Sequence, residues 1–222
     1  MTTEQAAFRL DVARSALTLF AEHGFDATSV EQIAAAAGIS RSTFFRQFRS
    51  KEDVVFADHD TLLEAAGQFL DGHHDDPWLA VCQGAELVFA HFARERALAE
   101  QRYAVVNAHA VLRDKELVTV FRYERLFGHY LRRALPELRP LDAVRFAAAV
   151  IATHNFLLRE MMRGGNTVDG GDVRAALDDV RRLFGVLPND DAPAGADDVV
   201  VAVFPRSTPT AEIARQLERR LR

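Results

Sequence analysis

The chain has 222 residues, 49% of them apolar and 27% charged, with 27 basic and 32 acidic residues and a net charge of −5. That length and balance suffice for a real core in one or two domains, and the acidic excess argues against a histone-like, indiscriminate binder of nucleic acid. A single cysteine excludes an internal disulfide and a multi-cysteine zinc site and fits a reducing compartment. No signal-peptide pattern opens the chain and no apolar run approaches membrane-spanning length, so a cytoplasmic protein with no membrane partner is expected.

Residues 5–23 predict a first helix with Leu10, Ala13, Leu17 and Phe20 on one stripe, stopped by Gly24. Thr28 stands three residues before Glu31, the capping-box spacing that satisfies orphan N–H groups at a helix start. Val30, Ile33, Ala34 and Ala37 then share one helix face, and Gly38 follows at the C′ position, where positive φ disfavours other residues. Ile39 fills the angle between two helices, and Ser40 suits the N-cap of the second. Phe44 and Phe48 point that short helix at a core, leaving Arg41, Ser42, Thr43, Phe45 and Arg46 on its other side. Ser50 and Asp53 repeat the capping spacing and start a longer helix, with Lys51 in its first turn, running to about Leu70. This is the layout of a helix-turn-helix whose second helix enters the DNA major groove. Charge agrees locally: Arg41, Arg46, Arg49 and Lys51 are the charged residues between Gln32 and Lys51, whereas 1–56 as a whole carries 6 basic and 7 acidic residues. A focused basic tip on a near-neutral head suits specific docking.

The same stretch resembles the TetR family of bacterial regulators. The resemblance is carried by Phe20–Ala21–Glu22–His23–Gly24–Phe25, Thr28–Ser29–Val30, Ile33–Ala34, Ala37–Gly38–Ile39–Ser40, Thr43–Phe44–Phe45, Phe48 and Ser50–Lys51–Glu52. It implies an all-α fold, a helix-turn-helix head on a helical body that binds ligand and dimerises, and a linking helix that transmits ligand binding as a change in head spacing. Many relatives have a tyrosine where this chain has Phe45, so a hydroxyl contact to phosphate is lost here and Arg46 supplies charge instead.

Residues 71–77 form a loop by composition. Its His73–His74–Asp75–Asp76 run invites a metal reading, which is set against a solvated capping loop and not preferred; Asp58–His59–Asp60 is read the same way. Pro77 starts a helix with Trp78, Cys82, Ala85, Phe89 and Phe92 inward. Further helices are expected at about 97–109 and 114–135, then at 141–163, where the run FAAAVIATHNFLL is apolar nearly all round and so expected to be buried on all sides. Alanines 147, 148, 149 and 152 permit close helix approach, and 172–184 forms the last body helix. Beyond Pro188 come a polar linker, a short β-strand at 199–203 and an amphipathic helix at 210–221 with Ile213, Leu217 and Leu221; the strand is expected to pair with a partner subunit or with the body. The expected organisation is a head of 1–50, a ligand-binding and dimerisation body of 51–188 and an extension of 189–222.

Nothing in the sequence converges on catalysis. No serine occurs between 57 and 206, Cys82 reads as core packing, and the glycines of 164–171 lack the strand and lysine of a phosphate loop. No catalytic residue, metal or cofactor is assigned, and the chain is not expected to be an enzyme. Trp78, Phe89, Phe92, Tyr103, Asn107, Tyr123, Phe127, His154 and Asn155 are candidates to line an apolar pocket with polar anchors. In the resembled family the last two body helices form a four-helix dimer bundle, which implicates Phe146, Val150, Ile151, Phe156, Leu157, Leu177, Val180 and Phe184. The expected DNA contacts are Thr28, Ser29, Arg41, Ser42, Thr43, Phe45, Arg46 and Lys51. Together these predict a homodimeric regulator, a repressor released from a palindromic double-stranded DNA operator by a small apolar or amphipathic effector. The competing expectation is a helical interaction module that keeps the head as a scaffold for protein partners.

Overall fold

The computed structural model describes residues 3–163 and 168–187. The C-terminal strand and helix expected beyond 188 lie outside these residues. Ten α-helices are present among the described residues, and no strand.

Helix α1 (Thr3–His23) buries Val12, Ala13, Ala16, Leu17 and Phe20 on one stripe and ends at Gly24, whose φ of +85° a side chain would strain. Helix α2 (Val30–Ala36) is capped one residue later than expected. The Ser29 hydroxyl accepts from the Gln32 amide at 3.2 Å and the Gln32 side chain accepts from the Ser29 amide at 2.7 Å. Thr28 and Ser29 both precede a suitable residue by three positions. Burial decides between them, because Thr28 turns inward and donates its hydroxyl to the Gly24 carbonyl at 2.8 Å. Gly38, at φ +66°, turns the chain into α3 (Arg41–Gln47), whose N-cap Ser40 accepts from the Thr43 amide at 3.0 Å.

The single helix expected from 51 to about 70 is two helices, α4 (Lys51–Val55) and α5 (His59–Leu70). Residues 54 to 58 are all buried, a run that no amphipathic helix face can place inward. The backbone answers by tightening into i→i+3 turns, with Phe56, Ala57 and His59 amides donating to Asp53, Val54 and Phe56 carbonyls.

The body contains α6 (Pro77–Arg94), capped by Asp76, then α7 (Arg96–Ala108), α8 (Ala110–Ala134), α9 (Pro140–Met162) and α10 (Gly170–Leu183), capped by Asp169. The head's core continues onto α7 and α8 through Leu98, Val105, Val106 and Leu112. The body's core gathers around α9, with Phe127, Leu131, Phe146, Val150, Met161 and Leu177 almost wholly buried. Gly84 lets α6 approach the Phe127 ring, which would stand 3.3 Å from a Cβ there.

Helix α9 departs from its expected burial on all sides. Phe146, Ala147, Val150 and Ile151 face inward, but Val144 is 57% exposed and Phe156 62%. The sequence reading also missed that α9 has the length and apolar composition to cross a membrane; here its inward face belongs to the core. The dimer assignments are corrected accordingly. Phe146, Val150, Ile151, Leu177 and Val180 are buried within their own chain, so they cannot present side chains to a second copy, whereas Phe156 is exposed and Leu157 and Phe184 are partly so. Cys82 is buried, and burial pushes its thiol up to about 12, as packing requires. A Phe146→Ala variant should therefore lose about 3–5 kcal/mol in urea denaturation, with no change in the sedimentation of the molecules that remain folded.

Candidate nucleic-acid interface and body cavity

The outward face of α3 carries Arg41, Ser42, Phe45 and Arg46, all exposed, with Thr43 partly so. Arg41 pairs with Glu31 at 2.8 Å and lies over the Phe45 ring at 5.3 Å, which orients its guanidinium along the helix. The Ser42 and Thr43 hydroxyls both reach the Ser40 hydroxyl, at 2.8 and 2.9 Å. Arg46 and Ser29 stand exposed beside them.

Two expected DNA contacts are corrected. Thr28 is buried, so its hydroxyl is out of reach of a phosphate. Lys51 turns its ammonium onto the Phe25, Asp26 and Thr28 carbonyls, the first at 2.7 Å, and over the Phe25 ring, so it fastens the loop between α1 and α2. Arg9 does the same for the end of α3, donating to the Gln47 carbonyl at 2.5 Å.

The loop expected to be solvated at 71–77 is so in part. His73 and Asp75 pair at the surface, His74 Nε2 donates to the Phe69 carbonyl at 2.8 Å, and Asp76 caps α6. Of residues 58–60, Asp60 is exposed but Asp58 differs. Asp58 is buried in the turn between α4 and α5, where one carboxylate oxygen accepts from Arg102 of α7 at 2.9 Å and from His91 of α6 at 3.1 Å. Burial alone would push this carboxyl up. The Arg102 charge and the His91 hydrogen bond outweigh it and hold Asp58 well below the usual carboxylate range. His59 meets the Tyr123 hydroxyl at 3.2 Å.

Beside this cluster the body holds a partly open cavity, whose free space including open solvent is about 800 Å³. Of the residues expected to line a pocket, Phe92, Tyr103, Tyr123, Phe127, His154 and Asn155 do so. Trp78 packs against Phe146 instead, Phe89 sits in the core against the His154 ring, and Asn107 lies exposed, donating to the Tyr103 carbonyl. The sequence reading missed Phe56, His59, Arg102, Glu116, Thr119 and Arg159. Arg102, Thr119 and Arg159 follow helical spacing on α7, α8 and α9 with other wall residues, a signal available in the sequence. Burial raises the Glu116 carboxyl, against the opposing pull of Arg159.

A model described as bacterial regulatory proteins of the tetR family matches residues 12–57, the span of α1 through the turn after α4. That span of the chain is similar to the TetR family. The HTH-type transcriptional regulator TcmR of Streptomyces glaucescens is 44% identical over 57 residues, 26% of this chain and 25% of that protein. The match thus spans about a quarter of that relative's length. The fatty acid metabolism regulator protein of Bacillus subtilis is 25% identical over 181 residues, 80% of this chain and 78% of that one. Among solved structures, the TetR-family transcriptional repressor FadR of Thermus thermophilus, in complex with lauroyl-CoA, superposes with a TM-score of 0.53 at 22% identity, covering 85% of this chain and 100% of that one.

The cavity wall makes a prediction for the pH dependence of stability. Burial lowers the His154 pKa to about 4 from an ordinary 6.5. Between those values the unfolded chain binds a proton that the folded chain refuses, so stability should fall as pH drops from about 6.5 to about 4, by at most about 3 kcal/mol. Urea titrations at stepped pH should find that part of the slope absent in His154→Leu.

Proposed function

We propose that the chain is a homodimeric, ligand-responsive repressor that leaves a palindromic operator when a small apolar or amphipathic effector fills the body cavity. One observation carries this reading: Phe56, in the turn joining α4 to α5, and His59, the first residue of α5, form part of the cavity wall. An occupant of the cavity therefore bears on the segment that leads into the head. An effector that fits one arrangement of that turn better than another shifts the DNA-binding equilibrium by its difference in affinity. The repressor sense is supported by the Thermus protein, which is described as a repressor and holds lauroyl-CoA.

In this reading the head of 1–50 docks α3 in the major groove, with Arg41, Ser42, Thr43 and Arg46 addressing base edges and phosphates, Phe45 contributing apolar contact and Ser29 meeting a phosphate at the start of α2. The body of 51–188 holds effector and partner, 189–222 is a separate extension, and the protein works in the cytoplasm. Two heads reach half-sites one helical turn, about 34–36 Å, or a multiple apart. The dimer face we favour is the outward stripe of α9. Val144, Ala148, Ala152 and Phe156 follow one another at i,i+4, and Leu183 of α10 is 84% exposed. The two small residues in the middle allow a second helix to approach closely.

Fluorescence anisotropy with DNA from upstream of the protein's own gene, at graded salt, tests the reading. Saturable binding beyond that of random DNA is expected, and its absence at low salt would favour the interaction-module alternative. Arg46→Ala should weaken binding across sequences and reduce the salt slope by about 1; unaltered affinity and slope would remove Arg46 from the interface. Ala152→Arg should convert dimer to monomer in sedimentation velocity while leaving the helical content intact.

A further inference from the structure

Arg102 is 6% exposed and lines the cavity, yet only its Nη2 is engaged, by Asp58 at 2.9 Å. Its Nε and Nη1 make no hydrogen bond among the described residues. His154, 5% exposed, lines the same cavity and leaves its Nε2 without a partner there as well. The ring's Nδ1 lies 3.2 Å from the Asn155 Oδ1, which only accepts, so the proton of the neutral ring sits on Nδ1 and Nε2 is a bare acceptor. Buried polar groups of a folded protein are ordinarily paired, and leaving them unpaired costs free energy. This cavity therefore combines apolar walls, such as Phe92, Phe127 and Ile151, with guanidinium donors and one imidazole acceptor that no described protein group uses.

The charge of the guanidinium is already balanced. The Asp58 carboxylate holds it, and the other two charged groups of the wall, Glu116 and Arg159, offset each other. A ligand carboxylate on Arg102 would place two anions on one cation in a site of low dielectric, which repels the ligand or forces proton uptake. A carbonyl oxygen accepts from the same N–H groups without that penalty. The geometry points to an uncharged, largely apolar effector that carries a carbonyl, anchored on Arg102, and a hydroxyl, donated to His154 Nε2. This assignment rests on the cavity being the effector site and names the class of molecule it takes.

Four small probes of one shape separate the contributions: 4-hydroxybenzophenone has both groups, 4-benzylphenol lacks the carbonyl, benzophenone lacks the hydroxyl and 4-benzoylbenzoate exchanges the hydroxyl for a carboxylate. Titration calorimetry with the full chain should find 4-hydroxybenzophenone tighter than 4-benzylphenol by about tenfold or more, the ratio expected of a hydrogen bond to a charged group. Benzophenone and 4-benzoylbenzoate should be weaker than 4-hydroxybenzophenone too. Arg102→Met strands the buried Asp58 and threatens folding, so the paired variant Asp58→Asn with Arg102→Met, which removes both charges, is measured beside it. In the pair the carbonyl preference should fall to about one, and in His154→Phe the hydroxyl preference should vanish while the carbonyl preference stays. Equal binding of 4-hydroxybenzophenone and 4-benzylphenol would overturn the anchor while leaving the cavity an effector site. Tightest binding of 4-benzoylbenzoate would overturn the uncharged class. Binding of none of the four would overturn the assignment, and the operator titration on the same preparation decides separately whether the regulator reading stands.

Discussion

A buried carboxylate in a turn is what ties the head of this molecule to its body. Asp58 follows α4 by three positions and is held by Arg102 of α7 and His91 of α6, both reaching the same oxygen. Charge buried in this way is tolerated only with a partner, and removal of one member leaves the other uncompensated. The turn between α4 and α5 is thereby fixed to two body helices at one point. The five-residue run of buried positions that breaks the helix here is the backbone's accommodation of that anchorage.

Around this point the head is held by smaller contacts of the same kind. Arg14 of α1 pairs with Glu95 between α6 and α7 at 2.6 Å, Lys115 of α8 pairs with Asp53 of α4, and Leu98, Val105, Val106 and Leu112 extend the head's core into the body. Exposed pairs such as Arg14–Glu95 contribute little stability each. Their value is geometric, since they set which way α1 and α4 face relative to α7 and α8. The cavity adjoins the same junction, which is why its wall contains residues from both sides of the turn.

Legibility in the sequence followed locality. Gly38, Ser40 and Phe44 announced the turn, cap and core contact of the helix-turn-helix because each acts on neighbours a few positions away. The cap of α2 was ambiguous, since Thr28 and Ser29 satisfy the same pattern one residue apart and only the packing under α1 chooses. Asp58 was misread as solvated because its partners lie 33 and 44 positions on, beyond any local pattern. Helix α9 was legible as a helix and as apolar, but periodicity does not say whether an apolar face meets its own chain or another. Phe146 and Val150 were therefore assigned to a partner and found in the core. Aromatic cavity residues were recognisable by type; the two arginines among them, Arg102 and Arg159, were not, because charge in a sequence reads as surface.

The chain has 25 arginines among its 27 basic residues, and its two lysines, Lys51 and Lys115, both hold α4. One secures the start of that helix to the loop before α2 and the other takes the Asp53 carboxylate from the body side. Amine chemistry, whether an acylating reagent or enzymatic acetylation, thus has almost no side-chain target apart from the joint between head and body. Where most proteins would scatter such modification harmlessly over their surface, this one concentrates it on a single mechanical element, and a neutralised lysine would be felt as a loosened α4 before anything else changed.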